Sequence, residues 1–236
     1  MLHDKDIREP LFDFLEETYG KIRIIEEKTM GKSRADVVMV TSHDLVGIEI
    51  KSDADTYARL SGQVKDYDKY YDRNIVVVGS SHALHIEEHV PEYWGIITAE
   101  IIDDALDFYI LRAPGNNPNL MLKNKLRILW RPELYSLQQK YDMPKYKDKS
   151  KDFVISKIAE RVPDRISAEN INEDISELLF ERDYTNVEET LREYRKGELQ
   201  KAIDSETDPQ KKLEYMVMQA KKKAVFPKRK RRRRRR

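Results

Sequence analysis

The chain has no cysteine among its 236 residues, which excludes disulfides and thiolate chemistry and fits a reducing compartment, so a cytoplasmic protein is expected. It also lacks any apolar run approaching 18 residues and any signal-peptide pattern. The expectation is a protein that neither spans a membrane nor is exported by that route. Net charge is nearly absent too, a formal +1, but that balance hides an asymmetry. Residues 228–236, Lys-Arg-Lys followed by six arginines, hold nine of the 44 basic residues; the remaining 35 face 43 acids, leaving the body at −8. Such a run is disordered when free and binds phosphates through counterion release. It equally has the composition of a nuclear-localisation patch or of a purification extension.

What the sequence does contain is two β-branched runs joined by a short turn. Ala35-Asp36-Val37-Val38-Met39-Val40 and Leu45-Val46-Gly47-Ile48-Glu49-Ile50-Lys51 flank Thr41–Asp44 and read as a hairpin. Alternation along a strand sends Ile48 and Ile50 to one face, into a core, and Glu49 and Lys51 to the other. Asp36 opens the partner strand and can approach Glu49 from it. Two carboxylates and an ammonium on central strands are costly unless they are paired or hold a metal.

A helix is predicted from about Ala54 to Tyr71, with an apolar stripe of Tyr57, Leu60, Val64, Tyr67 and Tyr71 and with Asp53 or Asp55 placed to cap it. Gln63 and Tyr67 lie four apart and share one face. Further elements follow the same logic: a helix over Ile7–Tyr19, a strand over Lys21–Glu27, strands at Asn74–Gly79 and Tyr93–Ala99, and a helix at Ser81–His89 between them. His82, His85 and His89 fall on part of one face of that helix, either as solvated side chains or as a metal cluster. The order is that of an α/β domain with a mixed sheet.

Together, Asp36, Glu49-x-Lys51 and Gln63-x-x-x-Tyr67 resemble the PD-(D/E)XK nuclease superfamily, in particular its RecB-like branch with the QxxxY motif. The runs Ser33–Asp36, Gly47–Asp53, Val77-Val78-Gly79 and Val90–Ile96 are similar to a bacterial and phage family within it, over about residues 5–112. The resemblance implies a restriction-endonuclease-like core with a mixed central sheet flanked by helices, and metal-dependent hydrolysis of DNA phosphodiesters. It implies Mg2+ or Mn2+ held by Asp36, Glu49 and the carbonyl of Ile50, with Lys51 orienting or activating water and Gln63 and Tyr67 bracing the site. Glu27 fits as a further acidic ligand, with Glu16 or Glu17 on the first helix as the alternative. The proline of the superfamily's name is replaced by Ala35. A non-cutting regulator that keeps the fold is the competing expectation.

Beyond Arg112 the sequence turns helical. Residues 1–112 read as the nuclease-like domain, 113–125 as a Pro/Gly/Asn-rich linker, 126–227 as an all-α accessory region and 228–236 as the polybasic tail. Within the accessory region the run Leu126–Leu134, a helix ending near Tyr141, and helices at Asp152–Arg161 and Ile171–Arg182 suggest a small DNA-binding module. Glu188–Ile203 and Pro209–Ala224 are charged helices without an assigned role. An acidic body confines any DNA contact to a local groove, for which Lys51, Arg59, Lys65 and Lys69 are the candidates. Removing residues 228–236 should flatten the salt dependence of DNA binding; an unchanged slope in a salt titration would exclude the tail from it.

Overall fold

The structure, a computed structural model, describes residues 2–103 and 105–182, apart from the side chains of Lys5 and Glu27. The predicted helices at 188–203 and 209–224 and the tail 228–236 lie outside the described residues. Met1–Glu181 form one compact unit. Its elements run α1 (Asp4–Tyr19), β1 (Arg23–Met30), β2 (Ser33–Val40), β3 (Leu45–Lys51), α2 (Leu60–Tyr67), β4 (Arg73–Gly79), α3 (Ser80–Ala83), β5 (Gly95–Ile102) and β6 (Ala105–Arg112), and then α4 (Leu122–Arg127), α5 (Arg131–Lys140), α6 (Lys151–Ala159) and α7 (Ala168–Glu181). The fold is mixed α/β, and after β6 the described chain is helical.

The six strands lie side by side in chain order. β1, β2 and β3 form an antiparallel meander, β3, β4 and β5 are parallel, and β6 returns antiparallel to β5. The parallel crossovers need connections that pass over a sheet face, and the first of them carries α2. β3 is buried along its whole length. One face of the sheet presents Val37, Met39, Ile48, Ile50, Ile75, Val77 and Ile97 to Ile7, Leu11 and Leu15 of α1, and this is the main core. Full burial of each such side chain is worth roughly 1.5–3 kcal/mol, so α1 is held by its apolar stripe rather than by its ends.

The opposite face carries the polar side chains of β3, and here α2 packs unusually close. Gly47 makes that approach feasible: a Cβ at this position would lie 2.3 Å from Cδ2 of Tyr71 and 2.7 Å from Cδ1 of Tyr67. Tyr67 and Tyr71 are fully buried and pack their rings 5.6 Å apart, with Trp94 5.5 Å from Tyr67. The later helices fasten to the same side of the structure. Lys125 of α4, fully buried, donates to Asp72 at 2.6 Å and to Asn172 of α7 at 2.7 Å, while Asp72 also accepts from the Leu45 amide. Burial pushes Asp72 up and Lys125 down from their ordinary values, and their mutual contact opposes both shifts.

Several elements differ from the sequence expectation. The helix expected over 54–71 is a 3-10 turn, Tyr57–Arg59, followed by α2 from Leu60 to Tyr67. Residues 52–55 are tied into a turn by Asp55, which accepts from the Ser52 amide and hydroxyl, and neither Asp53 nor Asp55 caps the helix. Asp53 instead accepts from the Leu2 amide and the Ser81 hydroxyl. The helix expected at 81–89 divides into α3 and a 3-10 turn at Ile86–Glu88. Strand β6 has no counterpart among the expected elements. It is an edge strand whose inward residues Leu106, Phe108 and Ile110 alternate with Tyr109 and Leu111, exposed and equally apolar, so the period of two is masked.

The close approach at Gly47 gives a direct test. Gly47→Ala should lower the unfolding free energy by about 1–3 kcal/mol or more, because two buried rings must move. Urea denaturation measures this, and an unchanged midpoint would contradict the packing described.

Candidate functional site

The polar face of β3 meets α2 around one carboxylate. Glu49 is 1% exposed and Lys51 4% exposed. The Lys51 ammonium donates to Glu49 Oε1 at 2.5 Å and to Gln63 Oε1 at 3.2 Å. The Gln63 amide donates to the same Glu49 oxygen at 2.5 Å, and the Tyr67 hydroxyl donates to Glu49 Oε2 at 2.7 Å. One turn of α2 separates Gln63 from Tyr67, so a single helix face supplies both. Charge-assisted bonds of this length offset much of the cost of burying the carboxylate. Burial, followed by the Glu49 charge, pushes the Tyr67 phenol well above its ordinary value, so it stays a donor.

Asp36 completes the cluster from β2. Its Oδ2 accepts from the Ile50 amide at 3.0 Å, and its own amide lies 3.3 Å from the Tyr67 oxygen. Burial and then the neighbouring Glu49 charge push its carboxyl from 3.8 up to about 6, against the opposing Ile50 amide and Arg8 guanidinium. The two acids thus differ. Glu49 has donors on both oxygens, whereas the charge on Asp36 is incompletely compensated.

These residues open onto a cleft of about 1090 Å³. Its walls include Lys32, Ser33 and Arg34 from the β1–β2 turn and β2, and Arg59, Lys65 and Lys69 from the 3-10 turn, α2 and its C-terminal end. All four candidate nucleic-acid contacts, Lys51, Arg59, Lys65 and Lys69, are therefore on the cleft, Lys69 within 3.7 Å of Asp66. Asp66 also ties the two walls together, accepting from the Lys32 amide at 3.2 Å and the Ser33 hydroxyl at 2.7 Å, while the Tyr70 hydroxyl accepts from the Gly31 amide.

Asp36, Glu49, Lys51, Gln63 and Tyr67 are thus gathered in one place, with Ile50 contributing the amide that holds Asp36. The side chain of Glu27 lies outside the described residues; its backbone is in β1. Glu16 and Glu17 are exposed and do not line the cleft. Among the described residues no three histidine, aspartate or glutamate side chains gather to hold a metal. His82 and His89 instead pack against the Tyr57 ring, with centroids 4.8 and 4.0 Å away, and His85 is exposed. The donor set still fits a hard divalent cation: Mg2+ typically takes one or two protein carboxylates and completes its shell with water and substrate phosphate. Arg8 is a site residue that the sequence motifs do not include. It lines the cleft from α1, and its signal was the Asp4-x-x-x-Arg8 spacing in a first turn that the expected helix start at Ile7 omits.

The fold and the cleft define a mixed α/β protein with a buried acid–lysine–glutamine–tyrosine cluster at the mouth of a partly basic groove. The family model described as bacteriophage P4 protein cII matches residues 2–209, and the chain belongs to that family. No curated protein matches. Among solved structures, Pyrococcus furiosus SfsA in complex with Ca2+ is similar at 15% identity and a TM-score of 0.30, over 47% of this chain. The chain covers 62% of that protein, and a likeness at this level carries no argument about the site. No helix among the described residues is long and apolar enough to cross a membrane.

The raised carboxyl of Asp36 has a thermodynamic consequence. Its folded value lies above its unfolded one, so the stability it contributes is present below pH 4 and is lost as pH rises through about 6. Asp36→Asn removes that loss. Between pH 4 and pH 8 the mutant should gain about 2–3 kcal/mol relative to the wild type in metal-free urea unfolding, and a pH-independent difference would contradict the assignment.

Proposed function

We propose that this protein is a metal-dependent nuclease of the PD-(D/E)XK type that hydrolyses DNA phosphodiesters at the Asp36–Glu49–Lys51 cleft. The observation that carries the reading is the convergence of Asp36, Glu49, Lys51, Gln63 and Tyr67, from two strands and one helix, on a cleft with basic walls. Asp36 and Glu49 would hold Mg2+ or Mn2+, with the carbonyl of Ile50 and the carboxylate of Glu27 as further ligands. Such an ion, when bound, supplies Lewis-acid stabilisation of the phosphate and a more acidic water.

The chain's own residues divide the remaining work. Lys51 orients water by its ammonium protons while pairing with Glu49. Gln63 and Tyr67 fix the Glu49 carboxylate in one rotamer, so that the acid does not swing away when a cation approaches. Arg59, Lys65 and Lys69 hold the nucleic-acid backbone along α2 by phosphate contacts that position without reading sequence. Such contacts are local, which suits a body of net charge −8.

One observation favours a second reading. Both Glu49 oxygens already accept bonds from protein donors, Lys51 and Gln63 on one and Tyr67 on the other. A carboxylate so engaged is also what a non-cutting descendant needs to hold α2 on the sheet. In that case the protein is a regulator that binds nucleic acid or a protein partner, for instance a phage protein acting on a host nucleic-acid-handling complex.

Incubating the purified protein with DNA and Mg2+ or Mn2+ separates the two. Nuclease action predicts cleavage that Glu49→Gln and Lys51→Gln each lower by roughly 10²–10⁴-fold, with the far-ultraviolet circular dichroism retained. Absence of cleavage by the wild type, or equal cleavage by both folded mutants, would leave the regulator.

A further inference from the structure

We propose that Arg8 is the phosphate seat of the cleft, its guanidinium taking a non-bridging oxygen of a nucleic-acid phosphate beside Asp36. The inference deepens the reading of the cleft as a phosphodiester site and rests on it.

The geometry of Arg8 is that of an anchored but unsated donor. Its Nε donates to Asp4 Oδ2 at 2.7 Å across one turn of α1, which fixes the stem. The two outer nitrogens carry the remaining four N–H groups. Their contacts are long: Nη1 to the Asp36 carbonyl at 3.3 Å, Nη2 to Asp36 Oδ1 at 3.5 Å and Nη1 to Glu26 Oε2 at 3.7 Å. Charge-assisted N–H···O bonds normally close to about 2.7–2.9 Å, so these contacts are weak ones that a closer anionic acceptor can displace. The side chain is only 16% exposed, yet it lines the cleft.

Four other cations of the cleft differ from Arg8 in placement or commitment. Lys51 is already committed to Glu49 and Gln63, and Lys69 sits beside Asp66 on the rim. Arg59 and Lys65 belong to the wall formed by the 3-10 turn and α2, whereas Arg8 lines the cleft from α1, beside Asp36. A planar guanidinium held by its Nε also presents its outer pair in the fork that matches two phosphate oxygens. A phosphate placed there draws Arg8 away from Asp36. Asp36 and the phosphate therefore compete for one guanidinium, and weakening the first should strengthen the second.

That competition makes the proposal testable without any cleavage. Binding of a short fluorescent oligothymidylate is measured by anisotropy in EDTA at several salt concentrations, with circular dichroism as the folding control. Arg8→Gln should weaken binding about tenfold and reduce the log–log salt slope by about one unit. Arg8→Lys, which keeps the charge but loses the fork, should fall between, and it carries the test if the glutamine variant does not fold. Asp36→Asn should tighten binding in the wild-type background and do so less in the Arg8→Gln background. Unchanged affinity and slope in Arg8→Gln, or equal tightening in both backgrounds, would overturn the proposal. So would binding of inorganic phosphate through Arg8 by a protein whose oligonucleotide affinity ignores Arg8. Because no cutting is measured, a protein inactive with every metal still reveals whether Arg8 holds phosphate, and a cutting protein with Arg8-independent binding overturns this inference alone.

Discussion

The structure turns on the buried carboxylate of Glu49. A buried carboxylate on a central strand is tolerable only if its oxygens receive strong donors, and here three side chains supply them: Lys51 from the same strand, Gln63 and Tyr67 from α2. Gln63 and Tyr67 reach Glu49 only because α2 lies almost in contact with the sheet, and α2 lies there only because Gly47 leaves room for the Tyr67 and Tyr71 rings. The turn at 52–55 and the 3-10 turn after it return the chain from the end of β3 to that position. A single glycine, a short turn and a four-residue spacing on a helix therefore act as one device.

Asp36 is built on the opposite principle. It sits next to a charge of the same sign, with one amide and a distant guanidinium in compensation, and its carboxyl is pushed up accordingly. A fold under pressure only for stability has little reason to keep such a group, whereas a site that awaits a cation has a clear one. The contrast between a satisfied acid and a strained one, side by side on a basic-walled cleft, is the physical content of the functional proposal. Arg8 fits the same picture, since it moderates Asp36 without neutralising it.

Much of this was legible in the sequence because the determinants are local. Alternation along Leu45–Lys51 separated Ile48 and Ile50 from Glu49 and Lys51, and the spacing of Gln63 and Tyr67 placed both on one helix face; β-branched runs revealed five of the six strands. What escaped depends on partners far away in sequence. The carboxylate of Asp53 is taken up by Leu2 and Ser81 rather than by a helix end, and β6 hides its alternation because Tyr109 and Leu111 face outward. Arg8 acquires its meaning only when α1 is laid beside β2, 28 residues further along the chain. Fold class needed periodicity, whereas the state of the site needed the third dimension.

The most direct measurement of the central claim is the anomalous signal of Mn2+ in crystals of the protein. One peak is expected in the cleft, about 2.1 Å from oxygens of both Asp36 and Glu49, the distance such hard cations keep from carboxylates. A clean crystal with Mn2+ absent from the cleft, and with Glu49 still bound by Lys51, Gln63 and Tyr67 at saturating metal, would contradict it.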